Sequence, residues 1–267
     1  MVIGNETLTL ARPGAERATR AAAAGRSTEG RLVYAVGDIH GRYDLLKDLL
    51  AQIAADAATS GQGREPALIL CGDYVDRGPD SAKVLQALVW LQRRGGFDLH
   101  LLKGNHEQAL LGFLEEPERG SAWLAYGGAE TLAAYGVAPP PAGAATQVLV
   151  GARDALLDSL PASHLQLLGE LELMVTVGDY AFVHAGVRPD TPLDLQAEND
   201  LLWIRRGFVD ALGPFERVIV HGHTWLNEEP QLTEHRIGLD TGAYATGVLT
   251  AVRLDGGLLQ VLQAHAD

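Results

Sequence analysis

The chain has 267 residues, 47% of them hydrophobic, and a mean hydropathy of +0.03, which fits one large globular domain and excludes a disordered polar chain. A net charge of −13 leaves no overall basic footprint for nucleic acid and disfavours anionic membrane surfaces. The one cysteine, Cys71, rules out an internal disulfide, and no apolar run approaches the ~20 residues that span a bilayer, so no membrane association and a reducing, cytoplasmic setting are expected.

Residues 1–30 scatter Arg12, Arg17, Arg20 and Arg26 among alanines, glycines and serines, and read as a mobile arm ahead of a single folded domain over 31–267. They hold no 7–15-residue apolar segment of a secretory signal, and Glu6, Glu16 and Glu29 count against a transit peptide. Three segments then share one grammar. "LVYAVGDIHG" from Leu32, "ALILCGDYVDRG" from Ala67 and "LHLLKGNHE" from Leu99 are each a short apolar run, a glycine, and Asp or Asn followed by further polar residues. Each precedes a helical pattern, such as Leu45, Leu46, Leu49, Leu50 and Ile53 after the first. Strand, turn and helix repeated in this way predict βαβ units on a buried sheet, with the three turns converging beyond the strands' carboxyl ends. Cys71 lies inside one apolar run and reads as a small core residue.

Helical segments are expected around 121–135 and 151–170, separated by the proline-rich loop that begins at Ala138. Trp123, Tyr126 and the surrounding "AYGGAETL" either line a groove or pack in the core. Leu173–Gly186 predicts a hairpin turning at Gly178-Asp179, Arg217–Thr224 a strand ending in histidines, and Arg236–Ala264 a strand, a loop and a hairpin turning at Asp255-Gly256-Gly257. The run of strands predicts a second, more antiparallel sheet.

The strand ends supply Asp38, His40, Asp73, Asn105, His184 and His223. This mixed oxygen and nitrogen set lacks thiolates, which argues against a structural zinc knuckle. Carboxylate and imidazole suit Mn²⁺, Fe or Zn²⁺, and the added amide oxygen favours Mn²⁺. Six ligands are too many for one catalytic ion with open positions and suit two ions roughly 3.5–4 Å apart sharing a carboxylate. A metal would cancel the charge of Asp73 at the mouth of a core strand.

"GDIHG", "GDYVDRG", "GNHE", "VHAG" and "HGHT", in that order, resemble the phosphoprotein phosphatase family of calcineurin-like metallophosphoesterases, and most closely its small bacterial and phage members, which lack regulatory subunits. The likeness covers about Leu32 to Thr224, and "LDTGA" at Leu239 extends it. It implies a four-layer α/β/β/α sandwich of two mixed sheets, with the catalytic domain over 31–267. It implies that Asp38, His40 and Asp73 bind one metal, that Asp73 bridges, and that Asn105, His184 and His223 complete the second. His106 would be the general acid, held by Asp76, with Arg77, Arg205 and Asn105 on the substrate phosphate. "WIRRGF" offers Arg205 or Arg206, and Arg205 is chosen as the residue two after Trp203. His221 of "HGHT" reads as a supporting or packing residue. The implied reaction is phosphomonoester hydrolysis by direct attack of a metal-bridging hydroxide. The substrate is expected to be a serine/threonine phosphoprotein, with tyrosine possible; the alternative is a symmetrical cut of diadenosine tetraphosphate or a related dinucleoside polyphosphate.

Overall fold

The computed structural model of the protein describes residues 26–266, together with the backbone of residues 19–21. A short strand, β1 (Thr19–Ala21), precedes three βα units: β2 (Leu32–Val36) and α1 (Tyr43–Ser60), β3 (Ala67–Leu70) and α2 (Ser81–Arg94), β4 (Asp98–Leu101) and α3 (Asn105–Glu115). A helical stretch follows, with α4 (Ser121–Trp123), a π turn over Leu124–Gly128, α5 (Ala129–Ala134), α6 (Thr146–Ser159) and α7 (Ala162–Gly169). Then come the hairpin of β5 (Met174–Val177) and β6 (Tyr180–Val183), α8 (Glu198–Trp203), α9 (Arg206–Val209), β7 (Val218–His221), β8 (Gln231–Leu232), β9 (Arg236–Gly238), α10 (Ala243–Thr246), β10 (Val248–Asp255) and β11 (Leu258–His265).

These strands form two mixed sheets, ordered β1-β11-β10-β2-β3-β4 and β5-β6-β7-β9-β8. Strands β2, β3 and β4 run parallel, as do β6, β7 and β9. The second sheet is therefore less antiparallel than the sequence suggests. The reason is that the C-terminal hairpin joins the first sheet instead, where β10 pairs antiparallel with β2, Ala251 opposite Val36.

Period-two alternation sorts the core into layers. On β2, Leu32, Tyr34 and Val36 pack under α1 and α2, while Val33 and Ala35 face the second sheet. On β3, Leu68 and Leu70 take the helix side, and Ala67 and Ile69, with Cys71 just past the strand, the inter-sheet side. From the second sheet, Phe182 and Val220 meet them, while Ala181, Val183 and Ile219 pack with Leu201 of α8 and Phe208 of α9 on the far side. The result is helix, sheet, sheet, helix, and it places Cys71 between the sheets as a buried apolar filler.

Part of the expected N-terminal arm has partners. Thr19–Ala21 pair with β11, and the Ser27 amide donates to Asp179 Oδ2 at 2.7 Å on the β5–β6 turn. Residues 1–18 and 22–25 lie outside the described residues. Replacing Leu68, fully buried beneath the helices, by Ala should lower unfolding free energy by about 2–5 kcal/mol, read as a shift of the urea midpoint. An unchanged midpoint would show that this layer is not packed as described.

Candidate metal centre

Every expected cage residue sits just past a strand's carboxyl end. Asp38 and His40 follow β2, Asp73 follows β3, Asn105 opens α3 after β4, His184 follows β6 and His223 follows β7. All six are at least nine-tenths buried. Gly104 and Gly222 allow the close approach: a Cβ at Gly104 would overlap Asp73 Oδ1, and one at Gly222 would overlap Asp38 Oδ1.

The Asp73 carboxylate lies between two imidazoles. His40 Nε2 is 3.4 Å from Oδ2, and His184 Nε2 is 3.4 Å from Oδ1. Each ring's other nitrogen faces a carbonyl that can only accept: His40 Nδ1 is 2.9 Å from Val75 O and His184 Nδ1 is 2.8 Å from Cys71 O. Those Nδ1 atoms must carry the protons, so in a neutral ring Nε2 presents a lone pair to the carboxylate oxygen. Protonating both rings would relieve the conflict, but burial opposes it, pushing His40 down to about 3 and His184 below its ordinary value. Around His184 Nε2 two further polar atoms gather, the acceptor Asn105 Oδ1 at 2.8 Å and His223 Nδ1 at 3.2 Å. Buried acceptors facing acceptors on both sides of one carboxylate fit two cations, one on each side. The groups His40–Asp73–His106 and Asp73–His184–His223 share Asp73.

Asp38 is joined to this cage through its other side. Both its oxygens accept the His223 amide, at 3.1 and 3.0 Å, and burial, then Asp240, then Asp73 push its carboxyl well above the usual range. His106 lies beside Asp73, with Nε2 4.0 Å from Oδ2, and its Nδ1 is 2.7 Å from Asp76 Oδ2. Arg77 is half-buried, with its guanidinium carbon 4.7 Å over the Tyr244 ring, which is edge-on to His40. Arg205 is exposed just before α9, and its charge helps hold down the protonation of His184 and His223. Arg206 lies within α9. His221 is fully buried, its Nδ1 donating to Gly222 O at 2.9 Å and its ring edge-on to Phe208, which is a packing position.

Several residues that hold the cage were not singled out for that role by the sequence. Glu107 is fully buried and latches the 72–78 turn: Oε2 accepts the amides of Asp73 and Gly104, each at 2.9 Å, and Oε1 those of Tyr74 at 2.8 Å and Val75 at 3.2 Å. Trp123 does not line a groove. It is 5% exposed and donates from Nε1 to Asp76 Oδ2 at 2.8 Å, while Thr131 donates to Asp76 Oδ1 at 2.6 Å. Asp240, in the quoted "LDTGA", is buried beside Asp38, and burial raises its carboxyl to about 7. The readable signals were Glu107, three residues after Gly104 as in a capping box, and Thr131 inside the quoted "AYGGAETL".

Residues 32–244 match the family described as calcineurin-like phosphoesterase, and the chain belongs to that family. It is 27% identical over 82% of its length to the bis(5'-nucleosyl)-tetraphosphatase PrpE [asymmetrical] of Bacillus mycoides, covering 88% of that protein. It is 30% identical over 88% of its length to a bis(5'-nucleosyl)-tetraphosphatase, symmetrical, of Acidovorax sp., covering 96% of it. Serine/threonine-protein phosphatase 2 of Escherichia coli is 39% identical over 37% of this chain and 39% of its own length. The chain is thus a metallophosphoesterase, a hydrolase of phosphoester bonds whose His and Asp groups suit a binuclear metal site. Among the described residues no helix is long and apolar enough to cross a membrane.

Replacing Asp73 by Ala should remove at least one of two bound ions from protein reconstituted with Mn²⁺. Elemental analysis returning two ions per chain for that variant would contradict a shared carboxylate.

Proposed function

We propose that the protein hydrolyses bis(5'-nucleosyl) tetraphosphates at a two-cation centre. Asp73 would be shared by the two ions, Asp38 and His40 would hold one, and Asn105, His184 and His223 the other; Mn²⁺ suits this oxygen-rich set, with Fe or Zn²⁺ as the other candidates. The observation that carries the chemistry is the Asp73 carboxylate facing an imidazole lone pair on either side. Two divalent ions, when bound, lower the pKa of a coordinated water and neutralise charge on phosphoryl oxygens.

The chain's own residues supply the rest. Of the four histidines around Asp73, three are pushed down, but His106 is raised: burial lowers it, and Asp73 and then Asp76 more than reverse that. Because Asp76 takes the Nδ1 proton, a second proton on Nε2 is available to the departing oxygen. Asp76 is fixed by Trp123 and Thr131, so the imidazole cannot swing away. Arg77, steered by Tyr244, and Arg205 grip phosphate oxygens. Cys71 is walled off between the sheets, with burial pushing its thiol up, so it serves as no nucleophile, and direct attack by water in a single step is the reading adopted.

The substrate class follows the relatives that share most of the chain. The three relatives matched over 82%, 88% and 83% of it carry the dinucleotide name, whereas the protein phosphatase shares little over a third. This replaces the expectation of a phosphoprotein substrate with its alternative. With Mn²⁺, diadenosine tetraphosphate should be consumed in preference to a phosphoserine peptide, and chromatography of the products reports the cut: ADP alone if symmetrical, ATP with AMP if asymmetrical. Preference for the phosphopeptide would return the protein phosphatase reading. His106→Asn should cut turnover of an alkyl phosphomonoester, whose alkoxide leaving group needs a proton, by roughly 10²–10⁴-fold while metal content holds. The loss should shrink on an aryl phosphate with an acidic leaving group; an equal loss on both would argue against the acid role.

A further inference from the structure

Among the described residues, three aromatic side chains are exposed: Trp90, Tyr126 and Trp203. Trp90 sits beneath Arg94 in the outer groove between α1 and α2. Trp203 contacts a candidate ligand, and Tyr126 lies on a turn tied to the backbone beside His106's partner. Tyr126 is 70% exposed on the π turn. That turn is sewn to the 76–77 backbone: Gly127 O accepts the Arg77 amide at 3.2 Å, Thr131 Oγ1 accepts the Asp76 amide at 2.9 Å, and Trp123 holds the Asp76 carboxylate. Gly127, at φ +120, leaves no room for a side chain, since a Cβ would meet Arg77 Cγ and N at 2.7 Å. Tyr126 therefore stands next in the chain to the residue that meets the Arg77 backbone, and Asp76 of that backbone holds His106 of the His40–Asp73–His106 group.

Trp203 is 41% exposed and edge-on to His223, ring centroids 6.5 Å apart, within reach of the Asp73–His184–His223 group. Its Nε1 donates to Gln108 Oε1 on α3 at 2.7 Å, which fixes the ring plane, and Arg205 follows two residues later. Each half of the centre thus presents the same pair, an arginine and an exposed ring whose backbone or indole is tied down. A ligand matching this has an anionic middle and a flat apolar group at each end. We propose that Tyr126 and Trp203 are stacking platforms for the two nucleobases of a dinucleoside polyphosphate, one on either side of the metal centre. The proposal deepens the reading of the preceding section and rests on it for the placement of the phosphate chain. Stacking uses the π face that every base has, so the platforms select for a base without selecting which.

The test uses the full chain loaded with Mn²⁺ and turning over p-nitrophenyl phosphate, which has no base. Inhibition by diadenosine tetraphosphate is compared with inhibition by inorganic tripolyphosphate, and the ratio of the two inhibition constants is the readout, so that any general change in activity cancels. The wild-type protein should favour the dinucleotide. Tyr126→Ala and Trp203→Ala should each reduce that preference by about 10-fold, and Tyr126→Phe and Trp203→Phe, which keep a planar face, should retain most of it. A wild-type ratio near unity, or a ratio unmoved in both alanine variants, overturns the platforms. Dinucleotide that inhibits with this pattern but is not cleaved leaves the platforms standing and removes the hydrolytic reading. Cleavage at the wild-type kcat/KM in both alanine variants does the reverse.

Discussion

The Asp73 carboxylate is buried between two imidazoles whose outer nitrogens are committed to carbonyls, so that each oxygen faces a ring lone pair, although Oδ1 also accepts the His106 amide at 3.1 Å. Left alone, this arrangement would relax, either by turning a ring or by drawing water into the cleft. The fold fixes the backbone on which these groups stand. Eight non-glycine residues among those described have positive φ, and five of them are His40, Asp73, Asp76, Arg77 and His223. Each such conformation costs of order 1–3 kcal/mol and persists only when its surroundings over-determine it. Concentrated here, the strain is offset by the rest of the domain, chiefly by Glu107, which gathers four backbone amides of the converging turns. Bound cations would relieve the lone-pair conflict while leaving the backbone where the fold put it, which is preorganisation in a concrete form.

The same geometry separates roles among chemically equal side chains. His40 and His184 give their Nδ1 protons to carbonyls, which are weak partners, and burial keeps the rings neutral as ligands should be. His106 gives its Nδ1 proton to a carboxylate and keeps a higher affinity for a second one. Asp76 adds to the pull of Asp73 that all these rings feel, and two residues on the helical stretch after α3, Trp123 and Thr131, hold it in place. The helices between the two halves of the sandwich are thus part of the site's support, and the π turn that breaks them carries Tyr126 to its rim.

Much of this was legible in the sequence because it is written locally. A glycine after a buried strand, followed by Asp, Asn or His, announces both the turn and the ligand, and the alternation in 32–36 and 67–70 announces the layers. What the sequence withheld depends on residues far apart. Glu107 has no local sign that its carboxylate reaches Asp73, and Trp123 reads equally as core or groove until Asp76, 47 residues earlier, is found beside it. The sheet to which β10 and β11 belong is likewise a matter of long-range pairing, Ala251 with Val36, which no turn residue encodes. Substrate class was the least legible, because a phosphate-binding centre is indifferent to what the phosphate carries; exposed rings at its edge are where such a preference would reside.

The central claim is that two cations sit close together because one carboxylate separates two sets of lone pairs. The most direct measurement is an electron paramagnetic resonance spectrum of the full chain reconstituted with Mn²⁺ at two ions per protein. The arrangement around Asp73 predicts an exchange-coupled spectrum, in which the hyperfine structure belongs to the pair. A spectrum of isolated, magnetically independent Mn²⁺ ions at that stoichiometry would contradict it.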